Sequence, residues 1–356
     1  MDRRKFISLS GLAGISVIYS GLPTAMAAAM PFEKDYIVTV NGRISLNQLG
    51  STLAHEHFIT DFAGAEKNRK PIYTNEEATS LLLPYLTTLK KSGISSVIEC
   101  TPAYIGRNVA LLKSLSIASG LHVITNTGYY SAVGQKYLPE HAFTETAGQI
   151  ANRWLNEWHN GIEGTGIRPG FIKLGVDNGP LKEIEKKMIR AAAITHAESG
   201  LKIFIHTGDA KAAKEEVSLL ASEGLTAEAM VWVHAQNDTS GEMHVELARK
   251  GCWISLDGVN ERPEALEKYT RFIVRMKNEK LLHKVLLSHD DGFSVEKLGK
   301  KTVFNAYNNG NTYPYRSLST TLGPKLIQHG ISPAEFNSML TENPVQALQI
   351  KICKAL

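Results

Sequence analysis

The sequence predicts an α/β fold, a closed (β/α)8 barrel with a β-hairpin before it and a helical tail after it. Three observations predict it. Eight short apolar strands alternate with seven helical stretches between residues 52 and 289. Several strands are apolar throughout, as parallel strands buried on both faces are. Chemically active residues recur at strand ends, where a barrel of this kind builds its site. A doubly wound nucleotide-binding sheet is the rival, and the chain has neither G-x-G-x-x-G nor a P-loop.

The elements follow in order. Tyr36–Leu49 reads as a hairpin turning at Asn41-Gly42, because both residues tolerate positive φ. Thr52–His57 is the first barrel strand. Thr74–Ser92 is helical, with Leu81, Leu82, Tyr85, Leu86 and Leu89 on one face and Gly93 as its stop. The remaining strands are Ser95–Cys100, Leu121–Asn126, Gly170–Val176, Leu201–His206, Ala229–His234, Cys252–Leu256 and Lys284–His289. Between them lie helices at Asn108–Ser119, Thr144–Asn160, Leu181–Ser199, Ala210–Glu223, Glu242–Lys250 and Pro263–Asn278. After strand eight a long polar-aromatic loop is expected, carrying Asn305, Tyr307, Asn309, Tyr313 and Arg316.

Composition narrows the function. The chain has 356 residues, a net charge of +4 and three cysteines. That charge is too weak to imply nucleic acid, and no nucleic-acid-reading motif is present. Three cysteines make neither a disulfide framework nor a cysteine-based zinc site. Arg3-Arg4 precede Lys5-Phe6-Ile7, a modestly apolar run and Ala25-Met26-Ala27. This resembles a twin-arginine export signal with an A-x-A cleavage site. Residues 1–27 are therefore expected to be a signal peptide, and 28–356 a single barrel domain, periplasmic or extracellular and without stable membrane insertion.

The chemistry begins at Leu53-Ala54-His55-Glu56-His57. Alternation along a strand puts His55 and His57 on one face and Glu56 on the other. Two imidazoles so placed can grip one metal ion. Lys173 lies in strand four, among Phe171, Ile172, Leu174 and Val176, where a lone ammonium is costly. His206 ends strand five, His234 ends strand six, and Asp290 follows strand eight. Lys173 to His206 is 33 residues, His206 to His234 is 28, and His234 to Asp290 is 56. These fit one, one and two β/α units of about 30 residues. Singly, the two histidines fit a satisfied core equally well. Asp291 and His289 are rivals to Asp290. The remaining histidines read as structural or surface residues.

On these residues the sequence resembles the phosphotriesterase family of the amidohydrolase superfamily. The carrying motifs are Leu49–His57, Phe171-Ile172-Lys173, Ser288-His289-Asp290 and Glu342-Asn343-Pro344 with Ala347-Leu348. The resemblance implies a TIM barrel with two divalent metal ions. His55, His57 and Asp290 would hold one and His206 and His234 the other. Carbamylated Lys173 and a hydroxide would bridge them. Zn2+ suits these ligands, with Mn2+, Co2+ or Fe2+ as alternatives. It implies a hydrolase whose chemistry rests on Asp290, His234 and Lys173, Asp290 moving the proton. The expected substrate is an ester, lactone or amide of a small polar molecule. A phosphotriester, or metal-dependent binding without turnover, is the alternative. Tyr130 matches an aromatic pocket position. Arg262 is displaced from the Asp-Arg pair of lactonase members, and Arg262 and Tyr313 are the further substrate-binding candidates. A homodimer is the expected assembly.

Overall fold

The computed structural model describes residues 35–67 and 70–350. The expected signal peptide, residues 1–27, lies outside them. Eight parallel strands form the barrel: Thr52–Glu56, Ser96–Glu99, a third in two pieces (His122–Ile124 and Asn126–Thr127), Phe171–Val176, Ile203–Thr207, Met230–Val233, Trp253–Leu256 and Val285–Leu287. Each pairs in parallel with the next in sequence, for example Ser96 with His122, Lys173 with Phe204 and Leu256 with Leu287. Closure is by main-chain hydrogen bonds. Asp290 N–H donates to His55 O at 3.1 Å, and His57 N–H to Asp291 O at 2.9 Å.

Sequence chemistry sets the helix limits. Thr74, Asn108, Thr146 and Asp209 each accept a hydrogen bond from the third residue of the helix they precede, satisfying an otherwise orphaned N–H. The crossover helices run Asn75–Lys91, Val109–Ser119, Ala147–Asn160, Glu183–Ser199, Ala210–Ser222, Glu242–Arg249 and Pro263–Asn278. Gly120 and Gly200 end two of them in the left-handed conformation. A short helix, Glu140–Thr144, precedes Ala147–Asn160. Among the described residues no helix is long and apolar enough to cross a membrane.

The barrel interior is plugged opposite the site. Phe171 and Phe204 pack at 4.6 Å between ring centres, amid Ile98, Ile124, Val231 and Leu286. Ile37 and Leu49 of the leading hairpin and Ala347 and Leu348 of the tail join this cluster. Each such side chain, fully buried, contributes roughly 1.5–3 kcal/mol. The tail also clamps the barrel: Asn343 Nδ2 donates to Leu282 O at 2.8 Å and Val285 O at 2.7 Å.

Three expectations are corrected. The leading hairpin, Ile37–Thr39 with Gly42–Ile44, turns at Val40-Asn41, because Gly42 is paired with Thr39. Strand eight ends at Leu287, so His289 and Asp290 lie beyond it. The segment after it begins as an antiparallel hairpin, Gly292–Leu298 with Lys301–Tyr307, not as a loop. Its first strand also pairs with Ile59–Thr60.

Candidate metal centre

His55 and His57 point into the barrel mouth together, their Nε2 atoms 3.3 Å apart. Asp290 Oδ1 is 3.2 Å from His57 Nε2 and 3.5 Å from His55 Nε2. The His234 ring lies 5.1 Å from that of His55 and 4.5 Å from that of His206. Lys173 is 2% exposed, and Asp257 and Asp290 raise its pKa against the larger effect of burial. The structure thus brings His55, His57, His206, His234 and Asp290 to one place, with Lys173 near the two aspartates. His234 and Asp290 both sit at positive φ, 62° and 58°. Such non-glycine strain is paid where a side chain must be aimed.

The imidazoles are oriented from behind. Asp257 Oδ2 lies 3.1 Å from His55 Nδ1, and its Oδ1 lies 2.7 Å from His234 Nδ1. Ser255 Oγ (2.7 Å), Gln236 Nε2 (3.0 Å) and His234 N (3.2 Å) also donate to this carboxylate. An ionised carboxylate only accepts, so it fixes the proton on Nδ1 of both histidines and leaves Nε2 as the ligand atom. His57 Nδ1 donates to Thr101 Oγ1 at 2.8 Å, and Thr101 donates onward to Glu99. Sequence reasoning missed Asp257, Thr101 and Glu99 in these roles. Asp257 carried the available signal, since it follows strand seven as His234 follows strand six.

The electrostatics suit cations. Burial, assisted by the charge of Lys173, pushes His55 down to about 4. Burial also holds His206 well below the usual imidazole range and lowers the Lys173 ammonium. Burial works against the charge of Asp257, but His234 and His55 override it and hold Asp257 well below the carboxylate range. His55 and His206 are therefore neutral donors at neutral pH, as metal ligation requires, whereas at His234 the opposing effect of burial is overridden by the charge of Asp257, which raises it.

The rival cluster Glu56, His289 and Asp291 is already saturated. Glu56 accepts from Ser288 Oγ (2.7 Å), His289 N (3.0 Å), His289 Nδ1 (2.6 Å) and Asp291 N (2.9 Å). His289 Nε2 accepts from Leu318 N, and Asp291 from Asn311 Nδ2 and Tyr315 N. These three residues pin the chain after strand eight, and burial pushes Glu56 up to about 8.

The expected substrate residues fall differently. Tyr130 packs on His206 at 5.0 Å, and its ring closes on Gly175, where a Cβ would come 2.5 Å from it. Arg262 lines a cavity of about 410 Å3 together with His206, His234, Asp290, Asn237 and Asn309. Tyr313 is 53% exposed, faces Tyr85 at 6.1 Å and does not line this cavity.

The Phosphotriesterase family profile matches residues 36–348. The chain belongs to the phosphotriesterase family. It is similar to the "Phosphotriesterase homology protein" of Escherichia coli, at 28% identity over 86% of this chain and 100% of that one. It is 25% identical to the "N-acetyltaurine hydrolase" of Danio rerio over 88% of this chain and 98% of that one. Among solved structures, a double mutant of the organophosphorus hydrolase of Deinococcus radiodurans superposes with TM-score 0.76. It has 26% identity over 88% of this chain and 96% of that one. The protein is accordingly a metal-dependent hydrolase of the phosphotriesterase family with a TIM-barrel fold.

Proposed function

We propose that this hydrolase cleaves an acyl bond, in an ester, lactone or amide of a small polar molecule, at a two-metal centre. The single observation that carries the reading is the convergence of four imidazoles and Asp290 at one place, with Nδ1 of His55, His57 and His234 tied to the protein behind and Nε2 left as the ligand atom. The donor set fits two divalent cations, with Zn2+ suited to imidazole and carboxylate. His55, His57 and Asp290 would hold one ion and His206 and His234 the other. Lys173 would join both as a carbamate, which turns a costly buried cation into a bridging anion. Such ions make water acidic enough to attack at neutral pH and polarise the scissile acyl oxygen.

The chain's own groups do the rest. Asp290 keeps 28% of its side chain open to the cavity while its Oδ1 faces His55 and His57. It takes the proton of the attacking water as the new C–O bond forms, and returns it to the departing oxygen or nitrogen as the old bond breaks. His234, oriented by Asp257, lies beside the substrate space. Tyr130 packs behind His206 and does not itself line the cavity. The wall is made of amides and a guanidinium, which favours a polar substrate, and the Danio rerio relative named for an amide substrate supports the amide arm. The Deinococcus radiodurans neighbour supports phosphotriester hydrolysis as the second reading. Arg3-Arg4 and Ala25-Met26-Ala27 support a mature enzyme that works outside the cytoplasm.

Metal-loaded protein assayed on ester, lactone, N-acyl and phosphotriester substrates tests the reading. Turnover of acyl substrates, with kcat reduced about 10²–10⁴-fold in Asp290→Asn, is the expected result. Absence of turnover across the panel contradicts it. Ligand binding that survives in both proteins without turnover would mark a silent binding protein instead.

A further inference from the structure

The mouth of the metal-site cavity holds one charged side chain outside the ligand set, Arg262. The amide side chains in the cavity wall each donate to the protein. Gln236 Nε2 donates to Asp257, and Asn237 Nδ2 to Thr207 O and Gly208 O. Asn260 Nδ2 donates to Gly258 O, and Asn309 Nδ2 to His289 O and Asp290 O. Arg262 differs. Its main-chain N–H is held by Asn260 Oδ1 at 3.1 Å, which fixes where the side chain leaves the loop. Among the described residues its guanidinium enters no ion pair and donates no hydrogen bond. The adjacent Glu261 is engaged elsewhere, accepting from Thr312 N (2.9 Å) and Thr312 Oγ1 (2.7 Å).

The guanidinium is nonetheless seated. A Cβ on Gly310 would fall 2.6 Å from Arg262 Nε, so only a residue without a side chain leaves this place open. Gly310 also has φ +94°, which glycine tolerates. A planar fork of five donors, held at the edge of a reactive cavity and left without an acceptor, matches an oxyanion with two or three oxygens. A cavity of about 410 Å3 admits only a small molecule.

We propose that Arg262 binds a carboxylate or sulfonate at the end of the substrate remote from the scissile bond, so that the substrates are small anionic acyl compounds. This rests on the acyl-hydrolase reading above and names its substrate class. Arg262 takes no part in bond making. It sets which molecules lie with their acyl carbon at Asp290.

The test uses metal-loaded wild type, R262Q and R262K with two matched esters, mono-4-nitrophenyl glutarate and its methyl-capped diester. In wild type, kcat/KM should favour the anionic ester by about tenfold. The preference should fall to near one in R262Q and be intermediate in R262K. A ratio near one in wild type, or one unchanged in R262Q, overturns the proposal and leaves the hydrolase reading intact. Calorimetry with glutarate supplies a readout independent of turnover. Affinity about tenfold weaker in R262Q supports the anion site even if neither ester is cleaved, in which case the acyl-hydrolase reading fails instead. Equal glutarate affinity in wild type and R262Q overturns the proposal.

Discussion

Asp257 shows how far a residue's importance can sit from its chemistry. It would touch no metal, yet it is buried and takes hydrogen bonds from both His55 and His234. Asp257→Asn keeps the shape but replaces one acceptor oxygen with a donor. One imidazole must then lose its partner or change tautomer. Metal affinity, read by competition with a chromogenic chelator, should fall about 10–100-fold; unchanged affinity would show that Asp257 does not orient the ligands. The ligand positions were legible in the sequence because they recur at strand ends in barrel register. Asp257, Thr101 and Glu99 were not, because their role depends on which imidazole nitrogen they face, and that exists only once strands one, two, six and seven are side by side. Alternation lets only one of Asp290 and Asp291 face the histidines, and the family resemblance is what picks Asp290. The structure puts Asp290 toward the histidines through a left-handed backbone position beyond that strand.

Strand four and the helix Pro333–Leu340 each carry a test at the element scale. Strand four brings Gly175 under the Tyr130 ring so closely that no side chain fits between them. Gly175→Ala must push the ring off its seat and should cost about 1–3 kcal/mol in urea unfolding. A neutral result would mean that Tyr130 is free to move away. In the helix, Glu335 bonds Lys277 Nζ at 2.7 Å and caps Ser332 N. The Lys277 bond, with the Ser332 cap, lowers its carboxyl from 4.5 to about 2. A depressed acid contributes stability above its unfolded pKa and loses it as pH falls through the folded one. Wild type should therefore exceed Glu335→Gln in unfolding midpoint at pH 7, the gap closing between 4.5 and about 2. A gap that persists through that range would rule out the ion pair as its source. The helices were read well because caps and apolar spacing are local. The hairpin Gly292–Leu298 with Lys301–Tyr307 resembles a loop in sequence because it is rich in polar residues. It is held partly by Ile59–Thr60, a partner from the far end of the chain.

The whole barrel closes where the proposed metals would sit. Asp290 and His57 carry the main-chain bonds joining strands eight and one, and their side chains meet at the same point. Ions held there would tie strands one, five, six and eight together, so binding and folding are linked. Removing metal with a chelator should lower Tm by about 5 °C or more and be reversed by Zn2+. No shift would mean the barrel closes without them. The most direct test of the central claim is stepwise metal titration of chelator-stripped protein, following acyl-substrate turnover against equivalents added. Activity rising to a plateau at about two ions per chain is the predicted result. A plateau at one ion, or turnover undiminished in the stripped protein, would contradict it.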